Sequence, residues 1–131
     1  MIQIIRAYGK YVRESPTPIE PLGINLIYAA EEVGDLAYMK ILEDVKAQIP
    51  EHFRYYVVLN RPPLGWSEGV GFIERQDIVK RMFFPPADGD LAVMCGPPVF
   101  ESAMRKTLAS LGFERHQWFS FAEDDHVSAH I

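Results

Sequence analysis

The residues best placed to do chemistry are Cys95-Gly96-Pro97-Pro98. They follow a short apolar run, Leu91-Ala92-Val93-Met94, and precede a helical pattern. A thiol there stands at the end of a buried strand. Gly96 carries no Cβ, so a ligand can approach the backbone closely. The helix start that follows offers the positive end of a dipole and free amides. The other reading of the same four residues is a tight strand-to-helix turn with a buried thiol, and spacing alone leaves the two about equal. The second stretch of interest is 60–71, with Pro62, Pro63, Gly65, Gly69 and Gly71. A loop this long with no structure of its own is usually functional or disordered. Metal chemistry is not suggested, because His52, His116, His126 and His130 are scattered and Cys95 is the single cysteine.

The elements that must position these residues can be followed along the chain. Met1, Ile4, Ile5, Tyr8 and Val12 recur at helical spacing. Residues 14–23 carry Pro16, Pro18, Pro21 and Gly23 and form a loop. Ile24–Ala30 is short and mostly apolar, as a buried parallel strand should be. Asp35 is expected to cap a helix whose face is Tyr38, Ile41, Leu42, Val45 and Ile49, stopped at Pro50. Phe53–Leu59 is a β-branched and aromatic strand. A short helix is expected over 73–83 and a buried strand over 90–95. Pro97 and Pro98 suit the first turn of a helix, where no amide hydrogen is needed. That helix shows Phe100, Ala103, Met104, Thr107, Leu108 and Leu111 on one face and Gly112 as its cap. A last strand is expected over 117–121, and the polar 122–131 segment is expected to be a loose tail.

Strands and helices alternate, which predicts an α/β fold with a parallel sheet between two helical layers. Ligands of such sheets bind at the carboxyl ends of the strands, which puts Ala30, Asn60 and Cys95-Gly96 on one rim. A chain of 131 residues is enough for one core. Apolar residues make up 48% and charged residues 24%, the composition of an ordinary globular chain. No apolar run reaches the roughly 18–20 residues that span a bilayer. The single cysteine fits a reducing compartment. The net charge of −5 argues against a nucleic-acid partner, which calls for a basic face.

Four segments together carry a family resemblance. Met94-Cys95-Gly96-Pro97-Pro98 is similar to the signature at the nicotinamide end of cytochrome b5 reductases and related flavoprotein reductases. Leu59-Asn60-Arg61-Pro62-Pro63, then Gly65-Trp66, then Gly71-Phe72-Ile73, is similar to that family's Leu-Asp/Asn-x-x-Pro, Gly-Trp and Gly-Phe-Val/Ile block. Leu26-Ile27-Tyr28-Ala29 followed by Asp35-Leu36 resembles its second strand and the helix start after it. Phe119-Ser120-Phe121 resembles its final strand. The order and spacing of the blocks identify the chain as a member of the NADH–cytochrome b5 reductase family over residues 1–121.

The resemblance implies a three-layer nucleotide-binding domain of the ferredoxin-reductase type. Met1-Ile2-Gln3-Ile4-Ile5-Arg6 resembles the helix that follows the family's Gly-rich phosphate turn. The expectation is therefore an incomplete NAD(H)-binding domain over 1–121, without the first strand, the phosphate turn or the FAD-binding domain. The implied function is passage of hydride from NADH to FAD, then of electrons to a haem protein such as cytochrome b5. The isolated chain would not turn over. The rivals are the carboxyl-terminal NADH domain of a nitrate reductase and a non-catalytic nucleotide-binding module. The resemblance also implies a cytoplasmic-side location, with any membrane anchor upstream.

Residue by residue, it makes Cys95 the catalytic-site residue, holding the nicotinamide by packing and orientation. Hydride transfer needs no protein nucleophile. Gly96, Pro97 and Pro98 would shape the nicotinamide-side wall. Asn60 would meet the adenosine ribose, where many members have Asp. Phe72 would pack near the adenine, against the alternative of a core aromatic at a helix start. Trp66 would anchor the long loop rather than bind ligand, and Ala30 receives no role. A neutral Asn60 repels no phosphate, so the preference for NADH over NADPH is expected to be looser than in members with Asp.

Overall fold

The computed structural model describes residues 1–19 and 23–120. Its elements alternate as α1 (Ile2–Glu14), β1 (Ile24–Ala30), α2 (Met39–Gln48), β2 (Phe53–Leu59), β3 (Gly69–Val70), α3 (Arg75–Arg81), β4 (Ala92–Met94), α4 (Pro98–Ser110) and β5 (Trp118–Ser120). This is the α/β order expected. The chain divides into two compact units, Ile2–Met82 and a carboxyl-terminal unit that begins at Phe83 and also takes in Met1.

In the first unit β1, β2 and β3 form one parallel sheet in that order. The register runs from Ile24 opposite Phe53 to Ala30 opposite Leu59. β2 lies in the middle, and Val57, Val58 and Leu59 are buried in succession. Unbroken burial on both faces is what a central parallel strand requires. α2 is the crossover between β1 and β2, and parallel neighbours need such a connection. Its Leu42 and Val45 are buried, as are Ile49 and Phe53 just beyond it. α1 turns Ile5 and Gly9 inward, and a Cβ on Gly9 would stand 3.5 Å from Val45.

β1 departs from the buried strand expected. Asn25 is its one buried residue, at 8% exposure, and the others are half-buried or exposed. The reason is topological: among the described strands β1 has a partner on one side only. Asn25 Oδ1 accepts a hydrogen bond from Arg54 Nε at 3.1 Å, while its Nδ2 is buried with no partner among the described residues.

In the carboxyl-terminal unit β4 and β5 pair in parallel, with Ala92, Val93 and Met94 opposite Trp118, Phe119 and Ser120. α4 crosses between them and buries Glu101, Met104 and Leu108. Several boundaries differ from expectation. Asp35 does not cap α2. It closes a separate 3-10 turn, Val33–Asp35, in a reciprocal cap with Glu32, and α2 begins after Tyr38 with no side-chain cap. The helix expected over 73–83 is shorter, because Glu74 and Asp77 form its amino-terminal cap. β4 is three residues long and Leu91 is exposed, so the buried strand expected over 90–95 is only partly realised. The long loop contains β3, which was not foreseen. Phe121 and the tail expected over 122–131 lie outside the described residues.

Candidate functional site

The carboxyl ends of the strands in the first unit make a rim whose backbone is continuous. The β1–β2 ladder runs past the strand ends: Asn60 N–H donates to the Ala30 carbonyl at 3.1 Å and Arg61 N–H to the Glu31 carbonyl at 2.8 Å. Gly71 N–H donates to the Leu59 carbonyl at 3.0 Å, which brings the end of the long loop back to the same strand end. Gly71 has φ +93°, a left-handed conformation that L side chains rarely adopt. Phe72 follows it and is 76% exposed, so it is not the core aromatic that was its alternative reading. Asn60 is also exposed. One rim therefore presents an amide and an unshielded aromatic face, which suits a hydroxylated sugar carrying a flat heterocycle.

Trp66 holds the loop behind this rim. Its Nε1–H donates to the Gly69 carbonyl at 2.9 Å, as an anchor should. A groove of about 710 Å³ also lies on this unit, bordered by Leu36, Met39, Tyr55 and Trp66. Burial raises the Tyr55 pKa, and Glu43 and Glu68 add to the effect. None of the residues expected to bind ligand lines that groove.

The turn after β4 is the centre of the second unit. The Cys95 thiol is exposed, which removes the alternative of a buried, inert cysteine. Pro98 opens the first turn of α4, as expected, while Pro97 stands one residue before it as the N-cap. The reason for Gly96 differs from the one expected. A Cβ there would stand 2.6 Å from Cδ1 of Phe100, so the glycine makes room for that ring rather than for a ligand alone.

The helix start also offers fewer free amides than expected. Pro97 and Pro98 have no N–H to offer. Gly96 N–H already donates to Glu101 Oε2 at 3.2 Å. Glu101 is 1% exposed and also accepts a hydrogen bond from the Ser120 hydroxyl. Arg105 Nη1 donates to Ser120 Oγ at 3.2 Å. This buried carboxylate ties the turn, α4 and β5 together. Sequence reasoning missed it, because a glutamate in a first helical turn reads as an exposed dipole complement. The turn can therefore present a thiol and apolar proline faces to a neutral ring, and it is poorly suited to a phosphate.

Thus Asn60 and Phe72 share one rim, and Cys95, Gly96, Pro97 and Pro98 form one turn. Among the described residues no cluster of three or more His, Cys, Asp and Glu side chains could hold a metal. No described helix is long and apolar enough to cross a membrane.

Comparison with known proteins gives these two sites a context. The family model described as "Oxidoreductase NAD-binding domain" matches residues 3–106. The chain is 34% identical over 121 residues to NADH-cytochrome b5 reductase 1 of Dictyostelium discoideum, covering 92% of this chain and 40% of that protein. It is 31% identical to NADH-cytochrome b5 reductase 2 of Homo sapiens over 122 residues, covering 92% of this chain and 42% of that one. Among solved structures it is similar to the cytochrome b5 reductase domain of Ulva prolifera nitrate reductase. The TM-score is 0.75 at 26% identity, covering 91% of this chain and 42% of that one. The chain spans about 40% of the length of the curated relatives it matches.

Proposed function

The chain belongs to the oxidoreductase NAD-binding domain family, and from that premise we propose that it is the part of a cytochrome b5 reductase-type flavoprotein that binds and orients NADH. In an intact protein of this kind bound NADH would supply hydride to a flavin held by a partner domain, for onward transfer of electrons to a haem protein such as cytochrome b5. This chain's own residues do the binding and positioning. The Asn60 amide accepts or donates at a ribose hydroxyl. The exposed Phe72 ring offers a face on which adenine stacks. At the other end, Cys95 and the proline faces of Pro97 and Pro98 pack against the nicotinamide and limit its tilt. Such positioning acts through proximity and not through bond formation to the protein.

The observation that carries this reading is the exposed thiol on a turn whose backbone is fixed by a buried carboxylate. A second reading, the NADH domain of a nitrate reductase, is supported by the likeness to the Ulva prolifera domain. The two differ in electron acceptor, so cytochrome b5 and nitrate reduction assays on the full-length gene product separate them.

The binding reading is tested on the chain itself. Cys95 is its one cysteine, so thiol alkylation reports on one position. NADH is expected to slow that alkylation with a dissociation constant of roughly 1 mM or tighter, about −4 kcal/mol or better. Cys95→Ser in a full-length flavoprotein is expected to slow flavin reduction about tenfold, about 1.4 kcal/mol of transition-state stabilisation, with the flavin still bound. Alkylation that NADH does not affect, together with undiminished flavin reduction, would remove the role.

A further inference from the structure

We propose that Glu31 is the residue that makes the adenosine site selective for a free 2′-hydroxyl over a 2′-phosphate. This rests on the reading that Asn60 meets the ribose. The observation behind it is the pairing of the two side chains. Asn60 Nδ2 stands 3.0 Å from both carboxylate oxygens of Glu31. An ionised carboxylate only accepts hydrogen bonds, so the amide must turn its NH₂ toward Glu31. Its carbonyl oxygen, Oδ1, is then the end left for a ligand.

That arrangement gives a neutral residue the properties of an acid. A ribose hydroxyl that donates to Oδ1 finds an acceptor, as it would on an aspartate. A 2′-phosphate ester has no proton to donate from that oxygen, and it meets an acceptor with a carboxylate directly behind it. The site then rejects the wrong ligand by an unmatched acceptor and by charge.

Arg61 would ordinarily work the other way, because an arginine on such a rim is what accommodates a 2′-phosphate. Here its Nε lies 3.9 Å from Glu31 Oε2 and 3.6 Å from Glu32 Oε1. Two carboxylates thus flank one guanidinium, and this group of side chains is net negative. The backbone fixes these neighbours, since Arg61 N–H donates to the Glu31 carbonyl at 2.8 Å. The side chains themselves are exposed, so their field is strongest at low ionic strength.

The test uses the full 131-residue chain and four probes: NADH, NADPH, 5′-AMP and 2′,5′-ADP. The last two isolate the adenosine half and need no flavin. Wild-type chain is expected to bind NADH and 5′-AMP more tightly than their 2′-phosphorylated counterparts. Glu31→Gln keeps an acceptor for the Asn60 amide and removes the charge. It is expected to lower the NADH-over-NADPH and AMP-over-ADP preferences by about three- to tenfold at low salt, the scale of one charge at a partly screened site. The change should shrink as salt is added. Glu32→Gln, which touches Arg61 but shows no bond to Asn60, is expected to shift both preferences less. An unchanged preference in Glu31→Gln, with NADH still bound, would overturn the role of Glu31 and leave the binding reading intact. An equal or larger shift in Glu32→Gln would also overturn it, since a diffuse field would then suffice. Wild-type chain that binds neither NADH nor 5′-AMP would overturn the binding reading itself.

Discussion

At the scale of single residues, the expected site splits by what neighbours do to each side chain. Phe72 can be named from the sequence, but its exposure cannot, because a phenylalanine near a helix start is as readily a core residue. The fold settles this: the Gly71 amide is tied to Leu59, and the ring is left 76% exposed. Phe72→Ala is therefore expected to change unfolding free energy by less than about 0.5 kcal/mol, as at ordinary surface positions. The same change should weaken NADH binding by about 1 kcal/mol through lost stacking. Denaturant unfolding and an NADH titration on the same variant check both halves. A large loss of stability with unchanged binding would return Phe72 to the core. Asn60 teaches the complementary lesson. Its neutrality in the sequence implies a loose preference for NADH, but the Glu31 carboxylate beside it supplies charge from a residue 29 positions away in the chain.

At the scale of elements, the turn between β4 and α4 is held by two contacts of different kinds. One is steric: Gly96 is needed because Phe100 fills the space of a Cβ. The other is polar: Glu101 takes the Gly96 amide and the Ser120 hydroxyl. Gly96→Ala should cost about 1–3 kcal/mol through overpacking. Combining it with Phe100→Ala should recover part of that loss, since the two changes share one space. Glu101→Leu leaves the Gly96 amide without this acceptor and should cost about 1–3 kcal/mol. Glu101→Gln keeps an acceptor and should cost less. Chemical denaturation of these variants, with Phe100→Ala alone to complete the cycle, checks these values. Additive losses in the Gly96/Phe100 pair would show that the ring is not what demands glycine. The α2 boundary carries a related point. Asp35 has the composition of a helix cap, yet it pairs with Glu32 around its own short turn, because an acidic side chain will satisfy whichever nearby amide the backbone presents.

At the scale of the whole molecule, β1 and β4 are each paired on one side only among the described strands. β1 shows the consequence in its partial exposure. An open apolar strand edge is a template for another segment or another copy of the chain. The isolated chain is therefore expected to self-associate with rising concentration in analytical ultracentrifugation. Hydrogen exchange should find the amides of β2, paired on both sides at its carboxyl end, better protected than those of β1. A stable monomer with equal protection in both strands would show that the open edges cost little.

The sequence by itself determined the α/β class, the family and the order of the elements other than β3. Those depend on local patterns: the apolar runs at Phe53–Leu59 and Ala92–Met94, the proline pair before α4, and the spacing of the Asn60, Trp66 and Gly71-Phe72 block. Only the tertiary structure decided which strands have one neighbour and which have two, that Cys95 faces solvent, that Glu101 is buried behind its turn, and that Glu31 stands against Asn60. Each of these is a relation between segments far apart in the chain or hidden by a turn. Burial and charge pairing are properties of what surrounds a side chain, and a local pattern of residue types does not encode its surroundings.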